Sequence, residues 1–287
     1  MSYRIFTDNG ANLTPEMYEE YGIEVLSLKF TIDGKEYVSY KKGTTIDVKM
    51  FYDKMRNKEP ITTSLVNADE FATAFEDALK NGEDVLYIGL SSGISGTYQA
   101  STIAKSMIED KYPDRKIITI DTLSASIGGG MLVWDAAKMK AEGKSIDEVA
   151  AWVEDNKLRM NHWFTVDDLF FLMRGGRVSR ASATFGEMLS VKPVMHVDDA
   201  GKLIVKGKVM GRKKSLSTIA NKFEEMGADK NQTVFITHGD CLEEAEKVKA
   251  QLNAMGVEDV RIIILDPSIG AHSGPGTMAI FFYADKR

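Results

Sequence analysis

Short apolar runs alternate along this chain with longer stretches whose apolar positions recur at helical spacing. Tyr3-Arg4-Ile5-Phe6-Thr7-Asp8 reads as a first strand that ends in a polar turn. Thr14-Pro15-Glu16 starts a helix, with Thr as cap, Pro in the first turn and an acid beside it. Val25 to Ile32, Asp33-Gly34 and Lys35 to Tyr40 predict a hairpin. Asn67 and Glu70 form a capping-box start for another helix, and Gly82 is its stop. Val85 to Ile88 is a strand, and a helical pattern through Ala100, Ile103, Ala104, Met107 and Ile108 follows it. Lys116 to Asp121 is the next strand. Gly128-Gly129-Gly130 then opens a helix through Met131, Val133 and Ala137 that closes near Gly143. Ser145 and Glu148 make a second capping box.

A second unit begins near Asn161. Asn161 to Val166 reads as a strand, and Asp168 to Met173 as a short apolar helix stopped by Gly175-Gly176. Val194 to Val197, the Asp198–Gly201 turn and Leu203 to Val209 make a hairpin. Thr233 to Thr237 is a strand, Asp240 and Glu243 cap the helix after it, and Arg261 to Leu265 is a further strand. This alternation predicts an α/β fold with a largely parallel sheet, split into an N-terminal domain over 1–160 and a C-terminal α/β domain over 161–287. No linker rich in Pro, Gly or Ser separates them, so the two should pack closely. Ligand loops should gather at the carboxyl ends of the parallel strands. Three such ends carry hydroxyls: Thr7-Asp8-Asn9, Ser91 to Thr97 and Asp121 to Ser126. On a shared edge they would build one polar pocket.

Composition narrows the classes. Of 287 residues, 44% are hydrophobic and 27% charged, as in soluble globular proteins. A net charge of −6 argues against nucleic acid or an anionic membrane as partner. One cysteine, Cys241, excludes an intrachain disulfide and points to a reducing, cytoplasmic setting. No apolar run reaches the about 20 residues of a membrane helix, and no signal peptide is visible. The histidines His162, His196, His238 and His272 lack metal-ligand spacing, so neither a metal nor a cofactor is expected.

Ser91-Ser92-Gly93-Ile94-Ser95-Gly96-Thr97-Tyr98 is the most informative stretch. A small, hydroxyl-rich loop between a strand and a helix start offers unpaired N–H groups and neutral donors to an anionic head. The same residues also suit an ordinary turn and cap. Gly89-Leu90-Ser91-Ser92-Gly93 fits the G-x-S-x-G elbow of serine hydrolases, with His238 or His272 as base and Asp121 or Asp240 as orienter. Against that, the helical pattern starts only at about Thr97, several residues past Ser91. A sugar-phosphate or nucleotide binder is disfavoured by the lack of G-x₄-G-K-[ST].

Seven motifs run in order along the chain: Ile5-Phe6-Thr7-Asp8, Thr62-Thr63-Ser64, Ser92 to Gln99, Asp121 to Gly130, Leu172-Met173-Arg174-Gly175-Gly176-Arg177-Val178, Val191-Lys192-Pro193 and Gly270-Ala271-His272-Ser273-Gly274-Pro275-Gly276. In this order they resemble the DegV family of bacterial lipid-binding proteins. The resemblance implies two α/β domains with a tunnel between them that holds one long-chain fatty acid. It further implies a non-catalytic subunit that presents the acid to a separate ATP-dependent fatty acid kinase and carries the acyl phosphate away. It assigns Thr63, Ser64, Ser95, Gly96, Thr97 and His272 to the head group. Arg174 and Arg177 flank a Gly-Gly turn, a pattern that also suits a helix C-terminus, and the resemblance adds kinase docking or a contact to phosphate. Lys206, Lys208, Arg212, Lys213 and Lys214 are a second docking candidate beside the reading of a solvated face. The chain departs from the family pattern at Asn9, at Leu65-Val66 and at Met210. These positions bear on the head group and on the partner surface.

Overall fold

The computed structural model describes residues 2–44, 46–179 and 190–287. Three sheets form among them. The first holds β1 (Tyr3–Asp8), β2 (Glu24–Leu26), β6 (Asp84–Gly89) and β7 (Ile117–Asp121) in the order β2-β1-β6-β7, all parallel. The second is a small antiparallel sheet of β3 (Lys29–Ile32), β4 (Lys35–Val38) and β5 (Ile61–Ser64). The third holds β8 (Met160–Thr165), β9 (Val191–Val197), β10 (Leu203–Met210), β11 (Val234–His238), β12 (Val260–Ile264) and β13 (Met278–Tyr283). Its order is β10-β9-β8-β13-β11-β12. Only β11 and β12 run parallel there, so the parallel expectation holds for the first sheet and is corrected for the third.

The helices are α1 (Pro15–Glu20), α2 (Val48–Arg56), α3 (Ala68–Lys80), α4 (Thr97–Ile108), α5 (Ile127–Ala141), α6 (Ile146–Asn156), α7 (Phe170–Arg174), α8 (Arg212–Glu225), α9 (Leu242–Ala254) and α10 (Pro267–Ser273). Helices α3 and α4 cover the outer face of the parallel sheet, through Phe71, Phe75, Ala104 and Ile108 against Val85, Tyr87 and Ile117. Helices α8 and α9 cover the outer face of the six-stranded sheet through Ile219, Phe223, Val248 and Leu252. Between the two sheets lies α5. Its residues Ile127 to Val133 are all buried, and they meet Leu86 and Ile88 on one side and Phe164 and Phe281 on the other. A helix apolar all round belongs in such a middle layer. Among the described residues no helix is long and apolar enough to cross a membrane.

Both expected capping boxes form, Asn67 with Glu70 and Ser145 with Glu148. Three expectations change. The run Val25 to Ile32 is not one strand but β2 and β3 in different sheets, parted where the Leu28 amide donates to Asn9 Oδ1 at 2.7 Å. The inner face of α4 is Ala100, Ser101, Ala104 and Ile108, while Ile103 and Met107 face solvent. Helix α9 has Cys241 rather than Asp240 at its N-cap, with no side-chain cap bond, and Asp240 instead pairs with Arg56 at 2.6 Å. The pattern reading also passed over α2, β5, α8, α10 and the central strand β13.

Asn9 ties chain segments that are far apart in sequence. Its amide nitrogen donates to Asp266 Oδ1 and Ser268 Oγ, both at 2.9 Å, and its oxygen accepts from Leu28. Replacing it leaves a buried N–H and a carboxylate short of partners. We expect Asn9→Ala to cost about 2–4 kcal/mol of stability, read as a lower urea midpoint. An unchanged midpoint would mean that water replaces the amide.

Candidate ligand chamber

A cavity of about 190 Å³ lies between the loops of the N-terminal sheets and the inner face of the six-stranded sheet. Most of its wall is apolar. Phe164, Ala279 and Phe281 rise from β8 and β13, and Leu90, Ile94, Leu172 and Leu265 close over them. Cross-strand neighbours share a face, so the register Phe164↔Ala279↔Thr237 puts one threonine on this apolar floor.

Four segments bring Thr63, His272, Ser95-Gly96 and Arg177 to the wall. Thr63 near the end of β5 meets His272 of α10, with Oγ1 to Nε2 at 2.8 Å. Ser95 and Gly96 precede α4, and the Ser95 hydroxyl is fixed by Thr97 Oγ1 at 2.9 Å and the Thr97 amide at 3.2 Å. Arg177 follows α7 and enters the wall half-buried. Its Nε donates to Ile94 O at 3.0 Å and its Nη1 to Gly175 O. Burial lowers the Arg177 pKa. Burial, with Arg177 and Arg174 adding to it, pushes His272 down to about 4. The imidazole is therefore neutral at pH 7, beside a guanidinium whose bonds go to backbone carbonyls. Gly175 makes room for the ring, because a Cβ there would collide with His272 Nδ1.

Of the six head-group candidates, Thr63, Ser95, Gly96 and His272 line the chamber. Ser64 does not. It follows Thr63 directly in a strand, so it points to the opposite, exposed face. Thr97 lies wholly buried behind Ser95 and acts on the wall through it. The docking candidates are dispersed, as four of them show. Arg177 belongs to the chamber wall. Arg174 is exposed, 5.3 Å from the centre of the Phe171 ring. Arg212 is bound internally to Glu244 at 2.6 Å and to Gly276 O at 2.6 Å. Lys213 is exposed.

The expected pooling of three strand ends is also partial. Ala125 and Ser126 reach the chamber, as do Ile94 to Gly96. Thr7, Asp8 and Asn9 do not, because their polar atoms are used inside. Thr7 Oγ1 donates to Ile88 O at 2.7 Å, and Asp8 accepts from Tyr87 Oη at 2.6 Å and from the Leu90 and Gly10 amides at 2.9 Å. Of the three departures, Asn9 is structural, Leu65 lines the chamber and Met210 is exposed at the end of β10. The strand pattern also missed His162 and Thr237 on the chamber floor, and Ser273 and Thr277 around the turn after His272.

Ser91 is not placed as a hydrolase nucleophile. Its hydroxyl is buried, donates to Gly201 O at 2.9 Å and accepts from the Gly93 amide at 3.0 Å. The two histidines considered as bases are engaged elsewhere, His238 with the Cys241 amide at 3.1 Å and His272 with Thr63. Asp121 accepts from the Ser92 and Leu123 amides. Ser91 thus fastens the Ser/Gly loop to the 198–201 turn. Gly93 permits that approach, since a Cβ would lie 2.7 Å from the carbonyl oxygens of Ala200 and Gly201. Among the described residues there is no cluster of His, Cys, Asp or Glu that could hold a metal.

The depressed His272 pKa has a signed consequence. The unfolded chain binds this proton below about pH 6.5, whereas the folded chain resists it until about pH 4. The unfolded state therefore gains protons first, and stability falls as pH drops through that window. His196, also pushed down to about 4 by burial, adds to the slope. We expect the melting temperature to fall between pH 7 and pH 5, and to fall less steeply in His272→Gln. Equal slopes would place His272 in a wetter setting.

Comparison with known proteins agrees with this architecture. The family model described as "Uncharacterised protein, DegV family COG1307" matches residues 2–285. A DegV domain-containing protein of Clostridium perfringens is 43% identical over 285 residues, 99% of this chain and 98% of the relative. The fatty-acid-binding DegV family protein of Thermus thermophilus superposes with a TM-score of 0.88 at 27% identity, over 99% of this chain and 100% of that one. The fatty-acid-binding DegV family protein of Streptococcus agalactiae gives 0.87 at 29% identity, with 99% of each chain covered. By sequence and by fold, the chain belongs to the DegV family.

Proposed function

We propose that this protein binds a single long-chain fatty acid in the chamber and presents its carboxylate to a separate ATP-dependent fatty acid kinase, carrying the acyl phosphate product. The observation that carries the first half is Arg177. A guanidinium in the wall of an apolar cavity, bonded to backbone carbonyls beside a neutral histidine and two hydroxyls, suits an anionic head on an apolar tail. Fatty-acid binding by the Thermus thermophilus and Streptococcus agalactiae relatives supports the same reading.

In this reading Thr63, Ser95, Gly96, His272 and Arg177 hold the head, and Thr97 sets Ser95. The tail supplies most of the affinity, at about 0.8 kcal/mol per buried methylene. The two units, 1–160 and 161–287, meet around the ligand. The protein does no chemistry of its own. Arg174 and Lys213, both exposed, serve the kinase, and Arg212 holds the turn at Gly276 in place.

Delipidated protein should take up one equivalent of palmitic or oleic acid, measured by native mass spectrometry. Saturable binding of a phosphosugar without binding of either acid would overturn the reading. Hydrogen bonds to a charged group are worth roughly 1.5–3 kcal/mol, so Thr63→Ala, Ser95→Ala and Arg177→Gln should each weaken acid binding about tenfold or more. The matching fatty alcohol should lose less. Equal losses for acid and alcohol would remove these residues from the head.

Acyl phosphate should form only when a kinase and ATP are added. Lys213→Glu should lower that turnover and leave acid affinity unchanged, because charge steering acts on encounter. Acyl phosphate made by the isolated chain would refute the division of labour.

A further inference from the structure

Leu65 stands at an unusual place for a large apolar side chain. It lines the chamber and is also 43% exposed, so it straddles the boundary between the cavity and solvent. It comes two residues after Thr63, which bonds His272. On its other side lies Gly96, where an added Cβ would come within 3.2 Å of Leu65 Cδ2. Leu65 therefore spans the gap between two of the segments that carry the polar wall, the end of β5 and the Ser95-Gly96 turn.

We propose that Leu65 is an apolar cap that closes the chamber over the ligand's head and sets how fast the ligand leaves. This rests on the fatty-acid reading above. The physical basis is the neighbourhood of the head. The hydroxyls, the neutral imidazole and the guanidinium bind an anion best where water is kept out. An apolar side chain over that spot excludes water and offers no competing donor. A polar side chain of similar length would admit water and compete for the same groups. The cap also bears on what can be bound. A free acid ends beneath it, whereas a lipid with a bulky head would have to displace it.

The position is exposed enough to be changed without disturbing the core, so the test is clean. Protein loaded with cis-parinaric acid is mixed with excess oleic acid, and the loss of fluorescence gives the release rate. Leu65→Ala and Leu65→Gln should release the ligand about fivefold faster or more, a factor equivalent to about 1 kcal/mol. Leu65→Met should stay close to the parent rate, and Ile103→Ala, a change at an exposed apolar side chain outside the chamber wall, should have no effect. Melting temperatures of the ligand-free variants should match the parent. Release at the parent rate from Leu65→Ala would overturn the cap. Slow release from Leu65→Gln would show closure by bulk alone and would overturn its apolar character. If the parent protein binds no cis-parinaric acid at all, the fatty-acid reading fails first, and that outcome is distinct from either of these.

Discussion

Asp266 Oδ1 accepts from the Ser268 amide, from Ser268 Oγ, from Ser39 Oγ and from Asn9 Nδ2, at 2.6 to 2.9 Å. Burial raises the pKa of this carboxyl, and the surrounding donors work against that shift. The cluster joins parts of the chain that are more than two hundred residues apart. Two further bonds flank it. The Asp266 amide donates to Asn12 Oδ1, and Tyr52 Oη donates to Leu265 O. Helix α10 is thereby fastened to the N-terminal elements, although the strands before and after it belong to the six-stranded sheet. His272 stands at the far end of that short helix. Its meeting with Thr63 follows from where α10 is pinned.

Charge in the chamber is handled with similar economy. Burying a lone cation is expensive, and Arg177 meets the cost in part by bonding to the carbonyls of Ile94 and Gly175. A second cation beside it would add repulsion. The field of Arg177 and Arg174 helps keep His272 neutral, so among the described residues the cavity wall carries a single positive charge at neutral pH. A monoanionic head matches that balance without further proton uptake. Arg212 shows the contrasting arrangement. It lies beside Glu244 and Asp167, its charge is matched within the protein, and its role is to brace the turn at Gly276.

Much of the fold was legible where local rules acted alone. Capping boxes at Asn67 and Ser145 form as read, because they need only residues three apart. The split at Ser27-Leu28 was not legible, since it depends on an asparagine from another segment. Strand β13 reads as a solid apolar run from Met278 to Tyr283, which periodicity cannot assign to a strand rather than a buried helix. Of the site, the Ser/Gly loop, Thr63 and His272 were found through the ordered motifs. Arg177 was read, with Arg174, as a helix C-terminal charge pattern and, from the resemblance, as a residue for kinase docking or for a contact to phosphate. Nothing local to Arg174 and Arg177 says that one faces solvent and the other the cavity. That difference arises only when α7 packs on α10.

The place of β13 in the six-stranded sheet has a consequence for how the chain is made. It lies between β8 and β11, so residues 278–283 bridge strands that emerge from the ribosome much earlier. Until they appear, β8 and β11 each lack the neighbour between them, and the inner layer around α5 is open on that side. The parallel sheet and its covering helices come from the first half of the chain and form early. The chamber floor, which includes Ala279 and Phe281, cannot exist before residues 278–283 have been made. Nascent chains therefore pass through a stage in which an apolar half-sandwich waits for its central strand.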